Sequence, residues 1–131
     1  MPWQRSAPSK NWWQRLRDES GSAVAATVLL MPWVVSAILI GIDVSNMAMS
    51  RSGLQVAVMN AARASAVATN TAAVRARAVV TNAFPDAEVA VRIKSIAGIP
   101  CVEVRSRISV AGLVVGSRTL DAVGHAPLEI P

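Results

Sequence analysis

The feature that most constrains this chain is a run of 21 residues, 22–42, that contains no charged side chain. Ten of these residues are Val, Leu or Ile, and each favours insertion at the centre of a bilayer by about 0.3 to 0.6 kcal/mol. A helix of this length measures about 31 Å, which is close to the roughly 30 Å of a hydrocarbon core. The run is therefore predicted to span a membrane once.

The residues on either side of this run predict its orientation. Arg15 and Arg17 precede it, whereas Asp43 follows it and the next basic residue is Arg51. Because basic residues are retained on the cytoplasmic side, we expect the N-terminus in the cytoplasm and the C-terminal part of the chain outside it. A secretory signal peptide is the less favoured alternative, because its apolar region has only about 7 to 15 residues.

Several residues of the apolar run have specific predicted roles. Pro32 removes one backbone hydrogen bond, so we expect a kink there. Ala37, Gly41 and Ser45 recur at intervals of four, which places small side chains on one face and allows a second helix to approach closely. Asp43 has two interpretations: it marks the membrane interface, or it pairs with a basic group on a neighbouring helix.

Residues 43–84 are rich in Ala and contain no proline, so the long helix is predicted to continue outside the membrane. A shallow apolar stripe marks the face that should pack: Leu54, Val58, Ala61, Ala62 and Ser65. Gly53 is the position where a break in this helix is most expected.

The pattern changes after Pro85, where apolar and polar residues alternate with a period of two. The segments "AEVAVRI" and "CVEVRSRISV" are predicted strands, "SIAGIP" is a predicted turn, and "LVVGSRTL" is a third candidate strand. We therefore predict a small antiparallel sheet of two or three strands over residues 85–123. Residues 124–131, including His125, are predicted to form a C-terminal tail.

Composition and motifs exclude several classes of function. The net charge of +5 comes from basic residues that are scattered along the chain without interleaved aromatic rings, so nucleic-acid binding is not expected. The sequence has no glycine-rich phosphate loop and no Cys/His cluster, and Cys101 is the only cysteine. We expect neither an enzyme nor a bound cofactor or metal.

The order of these elements resembles that of a pilin-type subunit. More closely, "RDESGSAVAATVLLMP" followed by "GIDVSNMAMSRSGLQVAVMNAARASAVA" is similar to the N-terminal region of TadE/TadG-like proteins of the tight-adherence (Flp) pilus assembly system. The matching positions are Asp18, Gly21, Pro32, Gly41, Asp43, Arg51, Leu54, Gln55 and the run 60–64. The C-terminal sheet is similar only in kind.

The resemblance implies a bacterial protein of the cytoplasmic membrane with an α+β, pilin-like fold. In TadE-like proteins it also implies cleavage by a prepilin peptidase, here between Gly21 and Ser22, and a glutamate five residues into the mature chain. This sequence has Ala26 at that place. The departure favours TadG-like members, which keep the anchor, so we predict that residues 1–21 form a basic cytoplasmic leader that is not removed.

Two functional hypotheses follow. The first is a minor pilin-like or assembly component that contacts other pilus or secretion-system subunits and is anchored by one membrane span. The second is a free-standing, membrane-anchored binding module. Its sheet would bind an anionic ligand or envelope polymer through Arg92, Lys94, Arg105 and Arg107.

Overall fold

The computed structural model of the chain describes residues 12–67 and 69–129. In chain order these residues form helix α1 (Trp12–Ala66), a short 3-10 turn (Thr69–Thr71), helix α2 (Ala72–Ala83) and strands β1 (Glu88–Ile96), β2 (Ile99–Val110) and β3 (Arg118–Pro127). The chain divides into two compact units, residues 1–38 and 39–131. An α+β fold with a long N-terminal apolar helix is confirmed.

The described part of the first unit consists of α1 alone. Its apolar side chains from Ser20 onward are exposed, and this helix is long and apolar enough to cross a membrane. Its hydroxyl groups are satisfied within the helix: Thr27 Oγ1 donates to the carbonyl of Ala23 (2.9 Å) and Ser36 Oγ donates to the carbonyl of Pro32 (2.7 Å). These bonds would lower the cost of placing the two hydroxyl groups in an apolar environment. The helix continues through Pro32, and the kink stays a prediction.

The second unit has its core between α1, α2 and the sheet. The strands form an antiparallel meander in the order β1-β2-β3. The predicted stripe on α1 is confirmed, because Leu54, Val58, Ala61, Ala62 and Ser65 are all buried. Facing apolar residues of the other elements complete the core: Ala76 and Val80 from α2, Val102, Val104 and Ile108 from β2, and Ala122 and Ala126 from β3.

The helix beyond the apolar run differs from the prediction of one element over residues 43–84. α1 passes through Gly53 and ends at Ala66, and α2 begins only at Ala72. Gly53 has a packing role instead of a breaking one, since a Cβ atom there would lie 3.3 Å from the ring atom Cζ of Phe84. Just before the break, Ser65 Oγ lies 2.7 Å from the carbonyl oxygen of Ala61 and 3.0 Å from that of Ala72, so its single O–H group can donate to either one.

The third strand also lies further along the chain than predicted. It starts at Arg118 and runs to Pro127, so the proposed boundary between a sheet at 85–123 and a tail at 124–131 is wrong. His125 is a strand residue whose Nδ1 lies 3.8 Å from Glu103 Oε2 on β2. The predicted turn over 95–100 is shorter, because only Ala97 (φ 53°) and Gly98 (φ 82°) separate β1 from β2. Both residues have the left-handed conformation that a tight hairpin requires.

Candidate functional site

Asp43 is the least expected buried residue of the chain. It lies on α1 directly after the apolar run, between Ile42 and Val44, whose side chains are 45% and 56% exposed. Asp43 itself is only 2% exposed. An ionised carboxylate is buried only where other groups replace the hydrogen bonds of water. The groups that do so come from the far end of the sequence.

The hydrogen-bond donors that replace water at Asp43 come from the loop between β2 and β3, residues 111–117, which we call the β2–β3 loop. Three successive backbone N–H groups of this loop donate to the Asp43 carboxylate. The Leu113 N–H contacts Oδ1 at 2.9 Å, and the N–H groups of Val114 and Val115 contact Oδ2 at 2.7 and 3.2 Å. We refer to this arrangement as the Asp43 site. It attaches the β2–β3 loop to the turn of α1 that follows the apolar run.

Two glycines give the loop its shape at the Asp43 site. The Gly112 N–H donates to the carbonyl of Gly116 (3.1 Å), and Gly116 has a φ of +77°, which favours glycine. A Cβ atom at Gly112 would lie 2.9 Å from the Gly116 oxygen and 3.0 Å from Asp43 Oδ2. Glycine at 112 therefore allows the carboxylate to approach the loop backbone closely.

The electrostatics of the Asp43 site favour the ionised carboxylate. Hydrogen bonds from the backbone N–H groups of Leu113 and Val114 are the main cause that lowers the pKa of Asp43 below its ordinary value. Burial acts in the opposite direction, and the N–H of Val115 adds a smaller lowering. Asp43 is therefore negatively charged at neutral pH, and its charge is satisfied by backbone dipoles rather than by a side chain of opposite charge.

The lowered pKa of Asp43 predicts a loss of stability in acid. A carboxyl group whose pKa is lower in the folded state adds stability above its unfolded pKa of about 3.9, and this contribution is lost as the pH falls through the folded pKa. We expect the free energy of unfolding contributed by this group to be constant between about pH 7 and pH 5, and to fall below about pH 4.

Thermal unfolding of the full chain in detergent micelles, followed at a series of pH values, measures this acid dependence. Asp121, whose pKa is lowered mainly by a hydrogen bond from Arg107, should also contribute stability that is lost in acid. The Asp121→Asn variant should therefore keep the Asp43 contribution to the acid loss, whereas Asp43→Asn should lack it. Equal acid dependence in the wild type and in Asp43→Asn would contradict the assignment.

The pairing of Asp43 with a basic group on a neighbouring helix, one of its two sequence interpretations, stays a prediction. Within residues 12–67 and 69–129 its carboxylate is bonded to backbone N–H groups, and neither ion pair found there includes it. The sequence reasoning missed the loop, although the pattern of Gly112 and Gly116 on either side of three apolar residues was a usable signal of a tight turn. The interpretation of Asp43 as the residue that ends the apolar run agrees with its position on α1.

The other predicted site residues on α1 are exposed. Gly21 and Ser22 lie within the helix, and no other part of the described chain comes within 4 Å of a Cβ atom built at Gly21. Ala37, Gly41 and Ser45 also remain uncovered, apart from the bond of Ser45 Oγ to the Gly41 carbonyl (2.8 Å). Cleavage at 21/22 and helix contact at the small residues stay predictions.

The outer face of the sheet carries the four basic residues of the second hypothesis together with acidic neighbours. Arg92 pairs in register with Glu103, and Arg107 lies between Glu88 and Asp121. Arg107 Nε and Asp121 Oδ1 form an exposed ion pair at 2.7 Å. Lys94 and Arg105 complete the set, with Lys94 opposite Cys101. Positive and negative charges therefore alternate across this face.

The remaining chemistry of the described residues is sparse. In the ranges 12–67 and 69–129, no group of three His, Cys, Asp or Glu side chains lies close enough together to hold a metal ion. Cys101 is a free, buried thiol whose Sγ lies 3.5 Å from the Ile99 carbonyl oxygen.

Comparison with protein-family models, with curated proteins and with solved structures found no significant match to this chain.

Proposed function

We propose that this chain is a membrane-anchored component of a pilus or secretion assembly, of the TadE/TadG-like kind, and that it acts through protein-protein contacts rather than catalysis. The observation that carries the proposal is that one helix has two roles. Residues 22–42 of α1 are uncharged and, apart from the half-buried Leu39, exposed, whereas one face of the same helix between Leu54 and Ala66 is buried beneath a small antiparallel sheet. This division of one helix is what the pilin-type resemblance leads us to expect.

The proposed location follows from the same helix. An exposed apolar run of this length is stable in lipid and costly in water. The flanking charges support a cytoplasmic N-terminus, with residues 43–131 outside the cytoplasmic membrane. The uncovered face of Ala37, Gly41 and Ser45 is then available within the bilayer for a helix of another subunit.

The binding-module hypothesis has less support from the charges on the sheet. Its four basic residues share the outer face with three acidic ones, Glu88, Glu103 and Asp121, at adjacent register positions. An anionic polymer would have to displace or tolerate these carboxylates, so the face lacks the single-sign potential that favours such binding. We therefore favour the assembly component.

The first test is the intact mass of the membrane-extracted full chain, expressed with and without a prepilin peptidase. We expect the full-length mass in both cases, because Ala26 occupies the place of the glutamate that the TadE-like resemblance implies. Loss of residues 1–21 only in the presence of the peptidase would overturn the permanent anchor and would instead establish a pilin-type export helix. A Gly21→Val variant is the matched control, since it should keep its full length with the peptidase in either case.

A second measurement tests the partners directly. The full chain, extracted in mild detergent from cells that express a tight-adherence system, should co-purify with other subunits of that system. A monomeric chain whose deletion leaves pilus assembly and secretion intact would contradict the proposed function.

A further inference from the structure

The β2–β3 loop exposes three consecutive apolar side chains. Leu113 is 77% exposed, Val114 49% and Val115 36%, and the segment lies between Gly112 and Gly116, with the polar residues Ser117 and Arg118 after it. Exposed aliphatic side chains in sequence are costly in water, and they commonly indicate a surface that contacts protein or lipid.

The Asp43 site fixes where this apolar loop lies. The backbone N–H groups of the same three residues are within 2.7 to 3.2 Å of the Asp43 carboxylate. Asp43 directly follows Ile42, the last residue of the apolar run, and the side chains of Ile40 and Ile42 are exposed in the same compact unit. The loop is therefore attached to α1 at the level where the helix leaves the hydrocarbon core.

The same hydrogen bonds lower the cost of bringing the N–H groups of this loop close to lipid. An unpaired backbone N–H group costs several kcal/mol in the hydrocarbon core, which excludes most irregular segments from it. Here the N–H groups of Leu113, Val114 and Val115 are paired with Asp43, and that of Gly112 is paired with the carbonyl of Gly116. The pairing also replaces the water that would otherwise solvate the Asp43 carboxylate, which lowers the cost of desolvating it near lipid.

We propose that the Leu113–Val115 segment inserts its side chains into the boundary of the bilayer that α1 crosses, giving the second unit a lipid contact besides the helix. This inference rests on the proposed membrane anchor. The occupant is lipid because the segment is continuous in space with the end of the membrane-spanning run. Arg118, exposed at the start of β3, adds a positive charge that suits anionic headgroups.

The opposite end of the sheet provides a matched control. Ile99, at the β1–β2 hairpin, is also apolar and is 56% exposed. Neighbouring contacts place this end near the C-terminus of α1: the Leu128 N–H donates to the Pro100 carbonyl, and the Glu129 N–H donates to the Ala66 carbonyl. At about 1.5 Å per residue, Ala66 is roughly 35 Å along the helix from Asp43. Ile99 should therefore lie outside the reach of lipid.

The experiment uses single cysteines in the full chain, with Cys101→Ala as the background, reconstituted in phosphatidylcholine/phosphatidylglycerol vesicles. Leu113→Cys, Val114→Cys, Ile99→Cys and Val34→Cys are each labelled with an environment-sensitive fluorophore. Quenching is then measured with lipids that carry nitroxide groups at different depths. Circular dichroism of each labelled variant verifies that it is folded.

We expect lipid nitroxides near the headgroup to quench the label at 113 and at 114 at least about threefold more than the label at 99, with position 34 quenched by deeper nitroxides. If the labels at 113 and 114 are quenched as weakly as the label at 99, the inference is overturned. Quenching of the label at 34 in the same experiment would still support the membrane anchor. A blue-shifted emission at 113 without lipid quenching would also overturn it, since protein would then cover the loop. Absence of quenching at position 34 would overturn both the anchor and the inference.

Discussion

Replacement of Asp43 by Asn is expected to lower the midpoint of thermal unfolding of residues 39–131 by about 5 to 10 °C. The carboxylate accepts three backbone hydrogen bonds, whereas an Asn side chain has one oxygen acceptor and an NH₂ group that would face an N–H donor of the loop. At least one of these three N–H groups is then left without its acceptor. Circular dichroism of the full chain in detergent micelles at pH 7 measures the shift.

The matched control for this variant is Asp86→Asn. Asp86 is an exposed aspartate in the turn between α2 and β1, so the same chemical change should shift the midpoint by less than about 2 °C. Amide hydrogen exchange gives a second, local measurement, because the N–H groups of residues 113–115 should lose protection in Asp43→Asn before the rest of the sheet does. Unchanged protection of these three N–H groups would show that the Asp43 site does not stabilise the loop.

The sequence was sufficient to predict those elements whose signals are local. The uncharged run reflects the length and apolar character of one helix. The apolar stripe from Leu54 to Ser65 and the period-two alternation of β1 and β2 reflect which face of an element packs. The structure confirms that stripe as the buried face of α1 and the alternation as the inward face of β2, whereas on β1 Val89 and Val91 are half-buried and Ile93 is exposed. Helical and strand periods are properties of neighbouring residues, so they remain readable without tertiary information.

The Asp43 site could not be predicted because it joins residues about 70 positions apart. The side chain of Asp43 bonds to backbone N–H groups, which every residue other than proline carries, so no complementary residue type marks the partner. A salt bridge would have required a basic residue, and a basic group on a neighbouring helix was one of the two interpretations of Asp43. The exposed Leu113–Val115 segment was read as the start of a strand because it is a short apolar run that follows Gly112.

Glycines account for most of the errors in the boundaries of the elements. Gly53 was read as a helix break and Gly124 as the start of a tail, because glycine is common where regular structure ends. In the structure both lie inside regular elements at points of close approach, Gly53 beneath the Phe84 ring and Gly124 against the backbone of Val58. Sequence alone does not distinguish a glycine needed for its conformation from one needed for its small size.

Gly124→Ala is therefore expected to destabilise the second unit strongly, by about 1 to 3 kcal/mol, with Gly124→Val worse. A Cβ atom at 124 would lie 2.8 Å from the carbonyl oxygen of Val58 and 3.0 Å from its Cγ1. The nearest of these is a backbone atom of a helix, which cannot move aside as a flexible side chain can. β3 would have to shift away from α1, and the core contacts of Ala122 and Ala126 would loosen.

Urea unfolding of the full chain in mild detergent, followed by circular dichroism, measures this loss, and Gly41→Ala is its control. The control adds the same methyl group at a helical position where nothing lies within 4 Å, so it should change the free energy of unfolding by no more than about 0.5 to 1 kcal/mol. Equal stabilities of Gly124→Ala and Gly41→Ala would mean that the sheet does not pack this closely on α1. A selective loss in Gly124→Ala would show that one missing side chain on β3 sets the distance between the sheet and the helix that continues from the membrane.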